Sequence, residues 1–162
     1  MEQGVEKIVS EHYADVLAYC RRHTASPEEA ADACQETFLR FVRRAGAYRE
    51  RGKPLAYLLT IARNVCVDLA RAHVRDADEL PEALVADAPG PDAAELDLAL
   101  ALERLDPRDR ELIELRYAQG LRVGEVARVL GVSRFSAGRM IRSALDALRK
   151  QLGPSDREGS NS

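Results

Sequence analysis

The sequence predicts an all-α fold of two small helical domains joined by an acidic flexible linker, with a helix-turn-helix as the C-terminal domain. Three observations support this class. Apolar residues recur at steps of three and four along most of the 162 residues, which is the spacing of one helix face. Residues 76–93 combine acids with prolines, a composition that buries little apolar surface. Near the C-terminus, a helical pattern stops at Gly131 and resumes in a new register. We therefore expect domains at residues 1–75 and 94–152 and a disordered tail at 153–162.

The N-terminal domain is predicted to contain three helices. Apolar spacing supports a first helix over about residues 5–22. Residues 26–29, Ser-Pro-Glu-Glu, supply an N-cap, a proline at the first helical position and a glutamate three residues after the cap. A second helix is therefore expected over about residues 27–44. A basic, glycine-containing loop follows at residues 45–53, and a proline then opens a third helix over about residues 54–75.

The C-terminal domain is predicted to begin with a leucine-rich helix near Ala94 and to end with the helix-turn-helix. The first helix of that motif, residues 123–130, has an apolar face that stops at Gly131, which can adopt the left-handed conformation. Ser133 is then a suitable N-cap for the second helix. The buried stripe of the second helix is predicted to be Ala137, Ile141, Ala144, Leu145, Leu148 and Leu152.

The other face of this second helix carries Phe135, Gly138, Arg139 and Arg142. Arginines one turn apart near the start of a helix can reach phosphates and base edges when the helix lies in a major groove. On an ordinary helical hairpin the same arginines would only be solvated. The motif therefore favours DNA binding over a structural hairpin.

The net charge of −3 conceals a strong segregation of charge along the chain. Residues 1–39 carry a net charge of −5 and residues 40–75 carry +7, whereas residues 76–106 carry −9 and residues 107–152 carry +5. Two basic blocks on either side of an acidic one are not the pattern of a generic polyanion binder. They indicate a protein that holds nucleic acid at two places.

Other classes of protein are disfavoured by features that the sequence lacks. It has no long apolar run and no secretory signal, so we expect a cytoplasmic protein without a membrane span. It also has no glycine-rich phosphate loop and no histidine–acid pairing at a useful spacing, so we expect neither an enzyme nor a cofactor. A zinc site of Cys20, His23 and Cys34 is conceivable. We expect no metal there, because structural zinc sites usually show two paired ligand motifs.

Three segments resemble the extracytoplasmic-function sigma factors, the smallest promoter-specificity subunits of bacterial RNA polymerase. The run AADACQETFLRFVRR is similar to the family's core-polymerase-binding helix, and YLLTIARNVCVDLAR is similar to its helix for the minus-ten element. The run LERLDPRDRELIELRYAQGLRVGEVARVLGVS is similar to the region that reads the minus-thirty-five element. Each motif is moderately specific alone. Their order, the acidic linker between them and the total length make the resemblance strong.

The resemblance implies a binding role for three sets of residues. Core polymerase would dock on a polar patch with an apolar edge, formed by Asp32, Gln35, Glu36, Phe38 and Leu39. The unpaired minus-ten strand, with one base flipped into the basic loop, would be held by Tyr48, Arg49, Arg51, Lys53, Tyr57, Thr60, Arg63, Asn64 and Arg71. The minus-thirty-five duplex would be read by Ser133, Arg134, Phe135, Ser136, Arg139 and Arg142.

Some of these residues also have a purely structural explanation. In addition, the sequence of the second helix of the helix-turn-helix departs from the family's pattern. Without the resemblance, the polar patch around Asp32, Gln35 and Glu36 would be interpreted as a solvated helix face. Tyr57 is equally well explained by packing between helices. Gly138 and Met140 stand where the family prefers basic residues, and Gly138 costs a helix about 1 kcal/mol relative to alanine. Neighbouring arginines can substitute, so we expect the docking mode to hold without predicting the DNA sequence.

The sequence therefore predicts a sigma factor, a non-catalytic subunit that binds core RNA polymerase, recognises both promoter elements and promotes melting. The resemblance also implies an anti-sigma protein as a partner and a linker that enters the polymerase's RNA exit path. The alternative is a free-standing helix-turn-helix regulator that binds duplex operators as a dimer. The regulator would bind duplex DNA tightly by itself, whereas the sigma factor would bind it weakly without polymerase.

Overall fold

The structure is a computed structural model that describes residues 2–44, 54–76 and 93–153, and every regular element within those ranges is a helix. The chain divides into two compact units, Met1–Val85 and Ala86–Ser162. The predicted linker between the domains lies almost entirely outside the described residues, as do the basic loop and the tail beyond residue 153. None of the described helices is long and apolar enough to cross a membrane.

The described residues of the N-terminal unit form three helices: α1 (Glu2–Arg22), α2 (Pro27–Arg43) and α3 (Pro54–Asp76). These bounds confirm the three predicted helices, although α1 begins three residues earlier and α3 ends one residue later than expected. The predicted cap also forms, since the Ser26 hydroxyl accepts the backbone N–H of Glu29 at 3.1 Å. Local capping and proline signals therefore set where these helices begin.

The three helices of this unit pack against one another around one apolar core. Tyr19 and Cys20 of α1, Phe41 of α2, and Leu58 and Leu59 of α3 are each at most 1% exposed. Burial of side chains from all three helices fixes the direction in which the outer faces of α2 and α3 point.

The cysteines lie in this core. Cys20, Cys34 and Cys66 are all free and buried. The ring of His23 stacks on Tyr19 with centroids 4.1 Å apart. Among the described residues, no group of three or more potential ligands is placed to hold a metal ion. The three residues considered for zinc therefore include two cysteines that serve as small core side chains.

The C-terminal unit contains four α-helices and one π-helical segment: α4 (Ala93–Glu103), α5 (Pro107–Ile113), the π segment (Glu114–Ala118), α6 (Val123–Leu130) and α7 (Arg134–Leu152). The π segment continues α5 and was not predicted. Its hydrogen bonds have the five-residue spacing of a π-helix, as when the N–H of Gln119 donates to the carbonyl of Glu114 at 2.8 Å. The Arg116 guanidinium then donates to the carbonyl of Leu121 at 3.1 Å, which holds the turn that leads into α6.

The leucine-rich helix α4 exposes much of its apolar surface. Leu96, Leu98 and Leu100 are each more than 40% exposed, and because residues at every second position alternate between two sides of a helix, these leucines do not form one buried stripe. Leu105 lies beyond the end of α4 and is buried. Arg110 of α5 holds this end of α4, donating to the carbonyls of Leu102, Glu103 and Leu105 at 2.9, 3.0 and 3.2 Å.

The helix-turn-helix is confirmed, including its turn. Gly131 adopts the left-handed conformation with φ 70° and ψ 34°. The N–H of Val132 donates to the carbonyl of Ala127 at 3.0 Å, which completes the hydrogen-bonded end of α6. Of the predicted stripe on α7, four residues are buried and Leu145 and Leu152 are half-buried; the four are Ala137, Ile141, Ala144 and Leu148.

Candidate functional site

The outer face of α7 begins at a capped helix end. The Ser133 hydroxyl accepts the backbone N–H of Ser136 at 3.1 Å, and the two serine hydroxyls lie 3.0 Å apart. The Arg139 guanidinium reaches the Ser136 hydroxyl at 3.4 Å. Of the predicted DNA-binding residues, these two serines therefore serve first to start the helix, while Arg134, Arg139 and Arg142 extend from it into solvent.

The same face carries a large apolar side chain next to a glycine. Phe135 is 85% exposed, and Gly138 follows it one turn later. A methyl group on Gly138 would meet the Cγ1 atom of Val123 at 3.9 Å, an ordinary van der Waals distance. The glycine is therefore not required by packing against α6, and it leaves the surface between Phe135 and Arg142 open. Met140 is half-buried and lies off this face.

The predicted minus-ten residues on α3 fall on one side of that helix. Thr60, Asn64 and Arg71 are separated by four and seven residues, and Arg63 lies beside them. The Thr60 hydroxyl donates to the carbonyl of Ala56 at 2.8 Å, which leaves its lone pairs as acceptors. Asn64 and Arg71 are exposed and Thr60 and Arg63 are half-buried. This side of α3 presents amide, hydroxyl and guanidinium groups together.

Tyr57 packs inside the unit, since its ring meets the edge of Phe41 on α2 at a centroid distance of 6.0 Å and an angle of 65°. It remains half-buried rather than fully enclosed. The structure therefore supports the packing interpretation of this tyrosine. The other predicted minus-ten residues, Tyr48, Arg49, Arg51 and Lys53, lie outside the described residues.

Two polar contacts join α3 to α2. His73 near the end of α3 lies 2.6 Å from the carboxylate of Glu29 at the start of α2. Arg40 on α2 pairs with Glu36 at 2.9 Å on its own helix and lies 3.9 Å from Asp68 on α3. Partly exposed pairs of this kind contribute little stability, so the buried side chains between α2 and α3 fix the place of the polar side of α3 relative to the outer face of α2.

The outer face of α2 contains most, but not all, of the predicted polymerase-binding residues. Asp32 and Gln35 are exposed, and Leu39 is 45% exposed. Phe38 is only 8% exposed and its ring stacks on Tyr13 at 5.7 Å, so it supports the face from beneath rather than forming its surface. The exposed apolar neighbour that sequence reasoning missed is Val42, which is 51% exposed. Its spacing of three residues from Leu39 was the available signal.

No nucleophile is offered by the buried cysteines. Burial raises the pKa of the Cys34 thiol to about 11, so the thiol stays protonated at neutral pH. Protonated, buried thiols are poor nucleophiles and poor metal ligands. The described surfaces present basic groups on α3 and α7, an amide group on α3, and a mixed acidic and apolar face on α2.

Comparison with known protein families gives two matches that agree with the two units. The family described as Sigma-70 region 2 matches residues 8–76, which cover α1 to α3. The family described as Sigma-70, region 4 matches residues 101–150, which cover the helix-turn-helix. The two matches together span more than two thirds of the chain and leave out residues 77–100, which form most of the acidic block.

Curated relatives match most of this chain. The ECF RNA polymerase sigma factor BldN of Streptomyces coelicolor is 36% identical over 136 residues, which cover 75% of this chain and 50% of that protein. The ECF RNA polymerase sigma factor SigD of Mycobacterium tuberculosis is 37% identical over 131 residues, which cover 72% of this chain and 61% of that protein. The chain thus spans about half to three fifths of the length of these relatives.

Solved structures support the same fold. The sigma factor RpoE from Bartonella quintana, determined in complex with the anti-sigma factor NepR, superposes with a TM-score of 0.76 at 22% identity. The match covers 93% of this chain and 97% of that one. At this level of identity the likeness concerns the fold, and it agrees with the all-helical, two-unit architecture.

Proposed function

This chain belongs to the extracytoplasmic-function sigma factors, and on that premise we propose that it is a promoter-specificity subunit that binds core RNA polymerase, recognises two promoter elements and promotes melting. The observation that carries the proposal is the pairing of a capped helix-turn-helix, whose second helix projects arginines, with a separate three-helix unit that presents a polar side of α3. Sigma factors are in general non-catalytic, so the subunit acts by binding.

In this proposal α7 is the recognition helix for the minus-thirty-five element. Its first turn would enter the major groove, where N-terminal residues of such helices contact base edges. Arg134, Arg139 and Arg142 are exposed and spaced to divide between phosphates and bases. Ser133 and Ser136 would keep the helix end rigid through their cap. A rigid helix end loses little conformational entropy on binding, which favours affinity.

We assign the minus-ten element to α3 and the basic loop before it. Promoter melting needs a surface that binds the unpaired strand better than the duplex, and no bond is made or broken in the protein. Asn64 can pair with a base edge through its amide, and Arg63 and Arg71 can hold phosphates. Tyr48, Arg49, Arg51 and Lys53 would complete this site from the loop. Tyr57 would position α3 by packing on Phe41 instead of stacking on a base.

We assign polymerase binding to the outer face of α2. Asp32, Gln35 and Glu36 would supply polar contacts, and the exposed pair Leu39 and Val42 would supply the apolar centre that a protein interface needs. Phe38 would hold this face in place from beneath. Because the chain belongs to this family, we also propose an anti-sigma protein as a partner. An inhibitor that covered these same surfaces would block binding of both polymerase and DNA.

The proposal is tested with core polymerase and two matched double variants of the full chain. Gln35→Ala with Leu39→Ala removes two exposed side chains from the α2 face, and Glu6→Ala with Ser10→Ala removes two exposed side chains from α1. We expect co-purification of the wild-type chain and the α1 variant with bacterial core polymerase, and at least tenfold weaker binding of the α2 variant. Run-off transcription from a promoter library should then give new start sites only with the two chains that bind.

A failure would also be informative. If the chain does not bind core polymerase but binds duplex DNA tightly and as a dimer, it is a free-standing regulator and the sigma assignment is wrong. A second pair of variants tests recognition of the minus-thirty-five element by α7. Arg139→Ala should lose this recognition, whereas the control Arg149→Ala, at the far end of α7, should keep it.

A further inference from the structure

Phe135 is more exposed than any other large apolar side chain in the described part of the chain, at 85%. A single exposed apolar residue is common on protein surfaces, so its position carries the argument. Phe135 is the second residue of α7, directly after Arg134 and the N-cap Ser133. It therefore stands on the turn that would reach furthest into a major groove.

The neighbours of Phe135 leave its ring accessible to a base edge. Arg139 and Arg142 lie four and seven residues later on the same face, and Gly138, which lies between Phe135 and Arg139, has no side chain. The hydroxyls of Ser133 and Ser136 are engaged with the cap and with each other. In the first turn, the ring is thus the bulkiest group available for contact with bases, and it is flanked by guanidinium groups that can anchor to phosphates or guanine.

A phenyl ring cannot donate or accept a conventional hydrogen bond, so it cannot read the polar atoms of a base pair. The major-groove edge offers one apolar group, the C5 methyl of thymine, and aromatic side chains contact it favourably. Resting on the proposed function, we propose that Phe135 packs against a thymine methyl group in the upstream promoter element. Phe135 would then be a specificity-determining residue for one T·A pair of that element.

The test removes the methyl group and the ring separately. In holoenzyme formed from core polymerase and the full chain, binding is measured to a promoter fragment obtained from the run-off library. Each thymine of the upstream element, on either strand, is replaced singly by deoxyuridine, which lacks only the methyl group. We expect one position at which deoxyuridine weakens binding by wild type about fourfold, the effect of one buried methyl group. Phe135→Ala should be insensitive to that replacement, whereas Phe135→Leu should keep part of the sensitivity.

Several outcomes would overturn the inference. One is that no deoxyuridine replacement affects wild type, and another is that the same replacement affects Phe135→Ala equally. A second set of fragments carries 5-methylcytosine at each cytosine, and a ring-dependent gain found only there would overturn the assignment to thymine. Because Phe135 is exposed, thermal unfolding of both variants should match wild type. Loss of promoter binding by the wild-type holoenzyme itself would instead refute the proposed function.

Discussion

At the scale of single residues, the cysteines show how burial controls reactivity. Cys20 and Cys34 are 0% exposed and Cys66 is 4% exposed. The raised pKa of Cys34, about 11 against 9.0 in an exposed thiol, follows from desolvation of the thiolate. The folded chain therefore keeps Cys34 as a neutral thiol over a wider pH range than the unfolded chain does.

We predict that iodoacetamide at pH 8 leaves all three cysteines of the folded chain unmodified and labels all three in urea. Mass spectrometry after timed quenching would measure this. The unfolded thiol loses its proton first, so the free energy of unfolding should fall as the pH rises from about 9 through about 11. Rapid labelling of Cys34 in the native chain would contradict the burial.

Gly138 offers a second prediction at this scale. It is an interior helical glycine, and a methyl group there would make only ordinary contact with Val123. Gly138→Ala should therefore raise the free energy of unfolding of the C-terminal unit by about 1 kcal/mol, the difference in helix propensity. Urea unfolding followed by circular dichroism would measure the gain. Gly131→Ala is the matched control and should be destabilising, because Gly131 has a φ of +70°.

At the scale of helices, the joint between α4 and α5 depends on one side chain. Carbonyls at the end of a helix lack intrahelical partners, and Arg110 donates hydrogen bonds to two of them, Leu102 and Glu103, and to the carbonyl of Leu105 just beyond the helix. We predict that Arg110→Met, which keeps most of the apolar stem, lowers the free energy of unfolding by about 1–2 kcal/mol. Arg108→Met, in the same helix and exposed, is the control and should change little. Equal unfolding midpoints for the two variants in urea would contradict this account of α4.

The elements also show what sequence reasoning could and could not predict. The starts of α2, α3 and α7 were predictable because each depends on local signals, such as the Ser26 cap, the proline at residue 54 and the Ser133 cap. The π segment was not predictable, because a shift from four-residue to five-residue hydrogen bonding leaves no periodic trace over five residues. The burial of Phe38 was missed for a related reason, since its partner Tyr13 lies on another helix.

At the scale of the whole molecule, charge segregation has a consequence for DNA binding. The chain carries −3 overall, and its acidic residues 76–106 lie in sequence between the two basic blocks. Acidic groups tethered next to basic surfaces compete with phosphates for them, so the free chain should bind duplex DNA weakly at moderate salt. Binding to polymerase would favour DNA if it drew the acidic segment away from these surfaces.

Neutralising that segment should therefore strengthen binding of DNA by the free chain. In the first variant, five acidic residues of that segment are replaced by the corresponding amides. The affinity of this variant for a fluorescent duplex should rise about tenfold at low ionic strength, and the gain should shrink as added salt screens the charges. A matched variant that neutralises five acids within residues 1–39 changes the net charge equally, but those acids do not lie between the basic blocks. Equal gains in the two variants would show that net charge alone controls binding, whereas a gain confined to the first would locate the competition in the acidic segment. The five replacements in that first variant are Asp78→Asn, Glu79→Gln, Glu82→Gln, Asp87→Asn and Asp92→Asn.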